Sequence, residues 1–163
     1  MHKAVVLALL LVALASCGRP SAATPGSTPG DPGLTSAARV VEPRLETEFA
    51  VSYAGLELRH EVPMMVVHRK PDPALDAAIA EATPNVRVVF RDARYTRVEM
   101  RAAAQQVMNE AGHWLGLGVT VVSAAARVDG SGVAVQTSGD AVGVASRLQQ
   151  RYPAMTFHVE KAG

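Results

Sequence analysis

Along the chain, apolar residues recur with two periods, and the switch between them predicts the elements. Tyr53-Ala54-Gly55-Leu56-Glu57-Leu58-Arg59 alternates apolar and polar side chains, as a half-buried strand does, and Met64-Met65-Val66-Val67-His68 predicts a second strand beyond a turn at Glu61-Val62-Pro63. Asp72-Pro73 then opens a helix, since Asp caps well and Pro suits the first helical position. Leu75, Ala78, Ile79 and Ala82 give that helix an apolar face, Pro84-Asn85 ends it, and Val86, Val88 and Phe90 alternate in a third strand. Thr96-x-x-Glu99 is a capping box that starts a longer helix over 96–115, with Met100, Ala104, Val107, Ala111 and Trp114 as its stripe. Gly116-Leu117-Gly118 stops it.

The pattern then repeats. Val119–Val128 and Val133–Thr137 predict a hairpin across Asp129-Gly130-Ser131-Gly132. Thr137-x-x-Asp140 caps a helix through Arg151 with Val144, Ala145 and Leu148 turned inward, and Met155, Phe157 and Val159 alternate in a last strand. The fold class expected is α+β: two strand-strand-helix-strand lobes joined by the longer helix. The two units align without a gap at an offset of 69 residues, which sets Met64 on Val133, Val66 on Val135, Ile79 on Leu148 and Phe90 on Val159. Duplication and coincidence both remain open readings of that alignment.

The segment before the first lobe has a different composition. In residues 18–38, eighteen of 21 residues are Gly, Pro, Ser, Thr or Ala, with no periodic apolar face, which predicts a disordered spacer. Residues 1–16 combine a short positive start with an apolar run from Ala4 to Ala13 and small residues at the end, the pattern of a secretory signal. That run is too short to span a bilayer, which takes about 20 apolar residues. The expected organisation is a signal peptide over 1–16, an anchor and tether over 17–38, a first lobe over 39–93, and the connecting helix with the second lobe over 94–163.

Leu14-Ala15-Ser16-Cys17 resembles the lipobox of bacterial lipoproteins, and the chain's single Cys stands where that motif requires it. The resemblance implies cleavage between Ser16 and Cys17, a thioether-linked diacylglyceryl group on Cys17, and a place on the extracytoplasmic face of the cell membrane. Two or more acyl chains make a stable anchor where one would be marginal.

Charge and cysteine content narrow the function classes. Sixteen Lys+Arg against 15 Asp+Glu leave a net +1, and removal of Lys3 with the signal brings the mature chain to zero. A neutral chain has no overall attraction to nucleic acid, and the Arg run at 87, 91, 94, 97 and 101 is interrupted by Asp92 and Glu99 and lacks stacking aromatics. That run reads as a solvated face, with an acidic protein partner or a lipid headgroup as the alternatives. One Cys excludes an internal disulfide and a Cys-based zinc site.

Catalytic chemistry finds little support. Ser52, Ser123, Ser131, Ser138 and Ser146 all lie outside a Gly-x-Ser-x-Gly elbow, and Ser131 is explained by its hairpin turn. For metal, His60 and His68 sit on adjacent strands with Glu61 nearby, and Glu110 and His113 lie three apart on a helix. One such pair falls short of a di-iron bundle. A small metal- or ligand-binding lipoprotein, or an enzyme, using His60, His68, Glu110 and His113 is the alternative reading. Gly116-Leu117-Gly118 follows a helix and precedes a strand, the reverse of a nucleotide loop. Trp114 and Met64-Met65 read as core. No cofactor and no catalytic residue is expected, and a three-stranded sheet offers an edge to which a partner strand can add.

Tyr53-Ala54-Gly55-Leu56, Val66-Val67-His68, Val88-Val89-Phe90, Arg94–Glu99 and Arg127-Val128-Asp129 before Gly132–Val135 are similar to the pro-domain-like regions of actinobacterial alpha-lytic-type secreted serine proteases. That resemblance spans about 49–160 and implies small α/β lobes that clasp, help fold or inhibit a protease. No protease domain lies within these residues, so it implies a stand-alone partner. The order of helix 96–115 followed by strand-strand-helix-strand is also similar to BON-type envelope domains, which are binding modules. The expected function is that of a non-enzymatic envelope lipoprotein that binds an envelope or secreted protein.

Overall fold

The computed structural model describes residues 31–138 and 141–162. The signal segment, Cys17, most of the spacer and the capping residue Asp140 lie outside the described residues. The element order is α1 (Pro32–Thr47), β1 (Tyr53–Arg59), β2 (Met64–Arg69), α2 (Pro73–Ala82), β3 (Val88–Asp92), α3 (Arg97–Asn109), α4 (Ala111–Gly116), β4 (Thr120–Ala126), β5 (Val133–Ser138), α5 (Ala141–Arg151) and β6 (Phe157–Lys161). The fold is α+β with two three-stranded sheets, ordered β1-β2-β3 and β4-β5-β6. In each, the first pair is antiparallel and the second parallel. Among the described residues no helix is long and apolar enough to cross a membrane.

The first helix corrects the expected spacer, whose last seven residues are helical. Asp31 caps it by accepting hydrogen bonds from the Gly33 and Leu34 amides, with Pro32 at the first helical position. Asp72 and Pro73 do the same for α2 through Ala74 and Leu75. Leu34, Ala38, Val41 and Leu45 form the buried stripe of α1, and they pack with Tyr53, Met65, Val67, Leu75 and Ile79. The second core gathers Met100, Ala104, Val107, Trp114, Val121, Val133, Val135, Val144 and Leu148. Each repeat is therefore helix-strand-strand-helix-strand, with the helix before the strands included.

The expected connecting helix is two helices. Its capping box is present in both directions between Thr96 and Glu99, but α3 ends at Asn109 and α4 restarts after Glu110, whose backbone leaves helical geometry. Gly118, with φ +76°, supplies the stop.

The repeat also corrects the gapless alignment. Leu56 pairs with Val67 and Leu58 with Met65, just as Ala124 pairs with Val135 and Ala126 with Val133, so these strands correspond at an offset of 68. Bulges fall at matching places, between Tyr53 and Gly55 and between Val121 and Ser123. The buried Leu75 and Ile79 match Val144 and Leu148 at 69, as β3 matches β6. Val133 therefore corresponds to Met65 and Val135 to Val67. A one-residue slip matters because it exchanges the two faces of a strand.

The lobes meet along a tight seam. Ala54 of β1 belongs to the second core. Arg97 donates across the seam to the Tyr53 hydroxyl at 3.2 Å, while Tyr95, of the second core, fixes the chain after β3 through its amide to the Gly130 carbonyl at 3.0 Å and its hydroxyl to that of Thr156 at 3.1 Å.

Candidate partner-binding groove

A cavity of about 560 Å³ opens between the lobes. Its lining takes Ala54, Gly55 and Leu56 from β1, and Ala124, Ala125 and Ala126 from β4. Consecutive residues of a regular strand point to opposite faces, so the run Ala124–Ala126 borders the space along the edge of β4, while at β1 the bulge at Ala54 brings main chain to the same space. Both are outer strands of their sheets. The remaining wall is a stripe of α3, formed by Arg97, Arg101, Ala104, Gln105 and Met108, with Glu42 of α1 and with Arg127 and Val128 beyond β4. The groove is thus bounded by two sheet edges and a helix face, with Gly55 against Val128 in its lining.

The two edges differ. β1 carries Glu57 and Arg59, which are joined at 2.9 Å, and that bond holds Glu57 below the usual carboxylate range. β4 carries no charge, and no charged side chain stands between His113 and Arg127. Ala125 is exposed and Val122 is half exposed. A long uncharged edge of small side chains is a ready template for strand addition.

The charges at the rim are ordered. Arg97 lies 3.2 Å from Glu46 and 3.7 Å from Glu42, and Arg101 lies 3.3 Å from the same Glu46. Arg97 also stacks over Tyr53, whose hydroxyl is pushed up by burial. Arg127 grips Asp129 and the Ser131 hydroxyl. Burial works against the Asp129 charge, but hydrogen bonds from Arg127 and from the Ser131 hydroxyl and amide outweigh it and hold the carboxyl well below its ordinary value.

Ser131 deserves comparison with a nucleophile, because its Oγ lies 3.3 Å from His158 Nε2. Its single proton, however, goes to Asp129 at 2.8 Å while its oxygen accepts from Arg127 at 2.8 Å. In a serine triad the carboxylate orients the imidazole rather than the hydroxyl. The arrangement locks the hairpin turn, as the sequence suggested.

The four residues of the metal reading do not come together. His60 accepts at Nδ1 from the Asp31 amide at the start of α1. It lies in the turn beyond β1 rather than on the strand, and His68 sits at the other end of the hairpin: it pairs across from Gly55, is buried, and has Nε2 3.6 Å from Glu57. Glu110 is engaged by Arg151 and by the Tyr152 hydroxyl at 2.8 Å, bonds that lower its pKa. His113 packs edge-on against Trp114 at 5.3 Å. Among the described residues, no three His, Cys, Asp or Glu side chains gather closely enough to hold a metal ion. Trp114 and Met65 are buried, as core residues, whereas Met64 at the start of β2 is only half-buried.

Sequence reasoning anticipated an open edge but not this groove. Gly55 and the Ala124–Ala126 run were its only signals. No family model matches the chain, and neither the curated proteins nor the solved structures contain a match.

Proposed function

We propose that this chain is a cell-envelope lipoprotein, anchored through lipid on Cys17 at the extracytoplasmic face. Its folded part binds an extended segment of another envelope or secreted protein in the groove between β1 and β4, without catalysing a reaction. The observation that carries the reading is that three consecutive residues from each of two edge strands border one cavity. Main-chain pairing along β4 would supply affinity, and the α3 stripe would read alternate side chains. A secreted protease is one partner that would suit the reading, with the groove holding a strand of it.

The test is Ala125→Lys, which places a charge on the exposed edge without touching either core. Wild-type and variant chains are used to capture partners from envelope extract. The reading expects a specific partner to be lost from the variant while its circular dichroism is unchanged. An identical partner set on both would contradict it.

A further inference from the structure

The groove has a chemical bias that goes beyond a general affinity for strands. We infer that its occupant is an acidic strand, added along β4, which sets a carboxylate against Arg101 and Arg97. This rests on the groove reading above.

The choice of edge follows from the walls. At β1 the Gly55 main chain is already in contact with the Val128 carbonyl, and Glu57 and Arg59 occupy the strand beyond it. The Val128 end of β4 shares that contact, but β4 itself carries no charged side chain, and its exposed Ala125 lies at the middle of its three lining residues.

The charge preference follows from the rim. Three Arg side chains line the groove against one carboxylate, that of Glu42. Arg127 is committed to Asp129 and Ser131 through two of its nitrogens. Arg97 and Arg101 share the one carboxylate within hydrogen-bond reach, Glu46, since Glu42 stands off at 3.7 Å. Arg101 makes that contact through a single terminal nitrogen, and its side chain is 57% exposed. A guanidinium is a planar fork of five donors suited to a carboxylate, so most of this fork is available to an incoming acid.

The experiment uses the full chain and pools of nine-residue peptides, randomised at alternating positions among Val, Thr, Ala and Ser, with one central Glu, Gln or Lys. Fluorescence anisotropy measures affinity, and amide hydrogen exchange reports where binding occurs. The Glu pool is expected to bind at least about fivefold tighter than the Lys pool, the scale of a partly exposed ion pair. Binding should slow exchange in β4, and Arg101→Gln should remove the preference while β4 protection persists. Equal binding of all three pools with β4 protected overturns the acidic inference alone. Failure of every pool to protect β4 overturns the groove reading with it. Protection of β4 without peptide that grows with protein concentration assigns the edge to a second copy, and overturns the inference too.

Discussion

Gly55 of β1 and Val128, just beyond β4, touch main chain to main chain: a Cβ built on Gly55 would fall onto the Val128 carbonyl oxygen. Both residues line the groove, so this contact sets how closely the two lobes approach beside it.

Gly130 makes the second close approach of the seam. Its φ of +68° suits glycine, and a Cβ there would overlap Ala93 and lie 2.9 Å from the Ala54 Cβ. Gly55→Ala and Gly130→Ala should each destabilise the chain by roughly 2 kcal/mol through overpacking and backbone strain. Gly112, on α4 with open space around its Cβ position, is the control. Gly112→Ala should be neutral or stabilising by up to about 1 kcal/mol. Urea unfolding of the three variants measures this.

The seam also predicts that both lobes unfold together. Trp114, the only Trp, is buried in the second core, whereas Ile79 is buried in the first. Ile79→Val removes one methylene and should cost roughly 1 kcal/mol. Trp fluorescence and far-ultraviolet circular dichroism should then shift to the same lower midpoint. A Trp114 transition that stays in place would show the lobes to be independent.

Asp129 makes the hairpin acid-sensitive. A carboxylate whose pKa falls on folding contributes stability above its ordinary, unfolded pKa and loses it as pH drops toward the lower folded value. Wild type should therefore lose the hairpin's contribution progressively below about pH 4. Asp129→Asn should be less stable at pH 7, and the gap between the two chains should close in acid. Thermal unfolding at pH 7 and pH 3 gives both numbers.

Lipid attachment is tested by Cys17→Ala. The variant should leave the membrane fraction or keep its uncleaved leader, and metabolic labelling with a fatty-acid analogue should mark only the wild-type chain.

Much of the fold was legible because local signals and tertiary burial agree. Thr96 and Glu99 make the capping box they spell, Asp72 caps α2, and Leu75 and Ile79 are buried on the face their spacing predicts. The first helix was missed although Asp31-Pro32 repeats the Asp72-Pro73 start and Leu34, Ala38, Val41 and Leu45 keep helical spacing. Gly33, the Pro-rich residues before it and Pro43 within it gave the segment a spacer's composition. The alignment error has a similar cause, since Met64 and Met65 are both apolar and only pairing tells which faces the core. Gly55 and the Ala124–Ala126 run were too slight a signal for the groove. It exists only because Gly55 and Gly130 let two lobes dock, a relation between residues about 75 positions apart whose patterns concern each lobe alone.

The groove, rather than another surface, is where the partner should bind. A photo-crosslinking amino acid placed in turn at Ala125 and Gln105 in the groove, and at Glu160 and Val51 on exposed surface elsewhere, tests it in living cells. One discrete adduct is expected from the two groove positions and none of that mass from the other two. Adducts of equal yield from Glu160 or Val51, with none from Ala125, would contradict it.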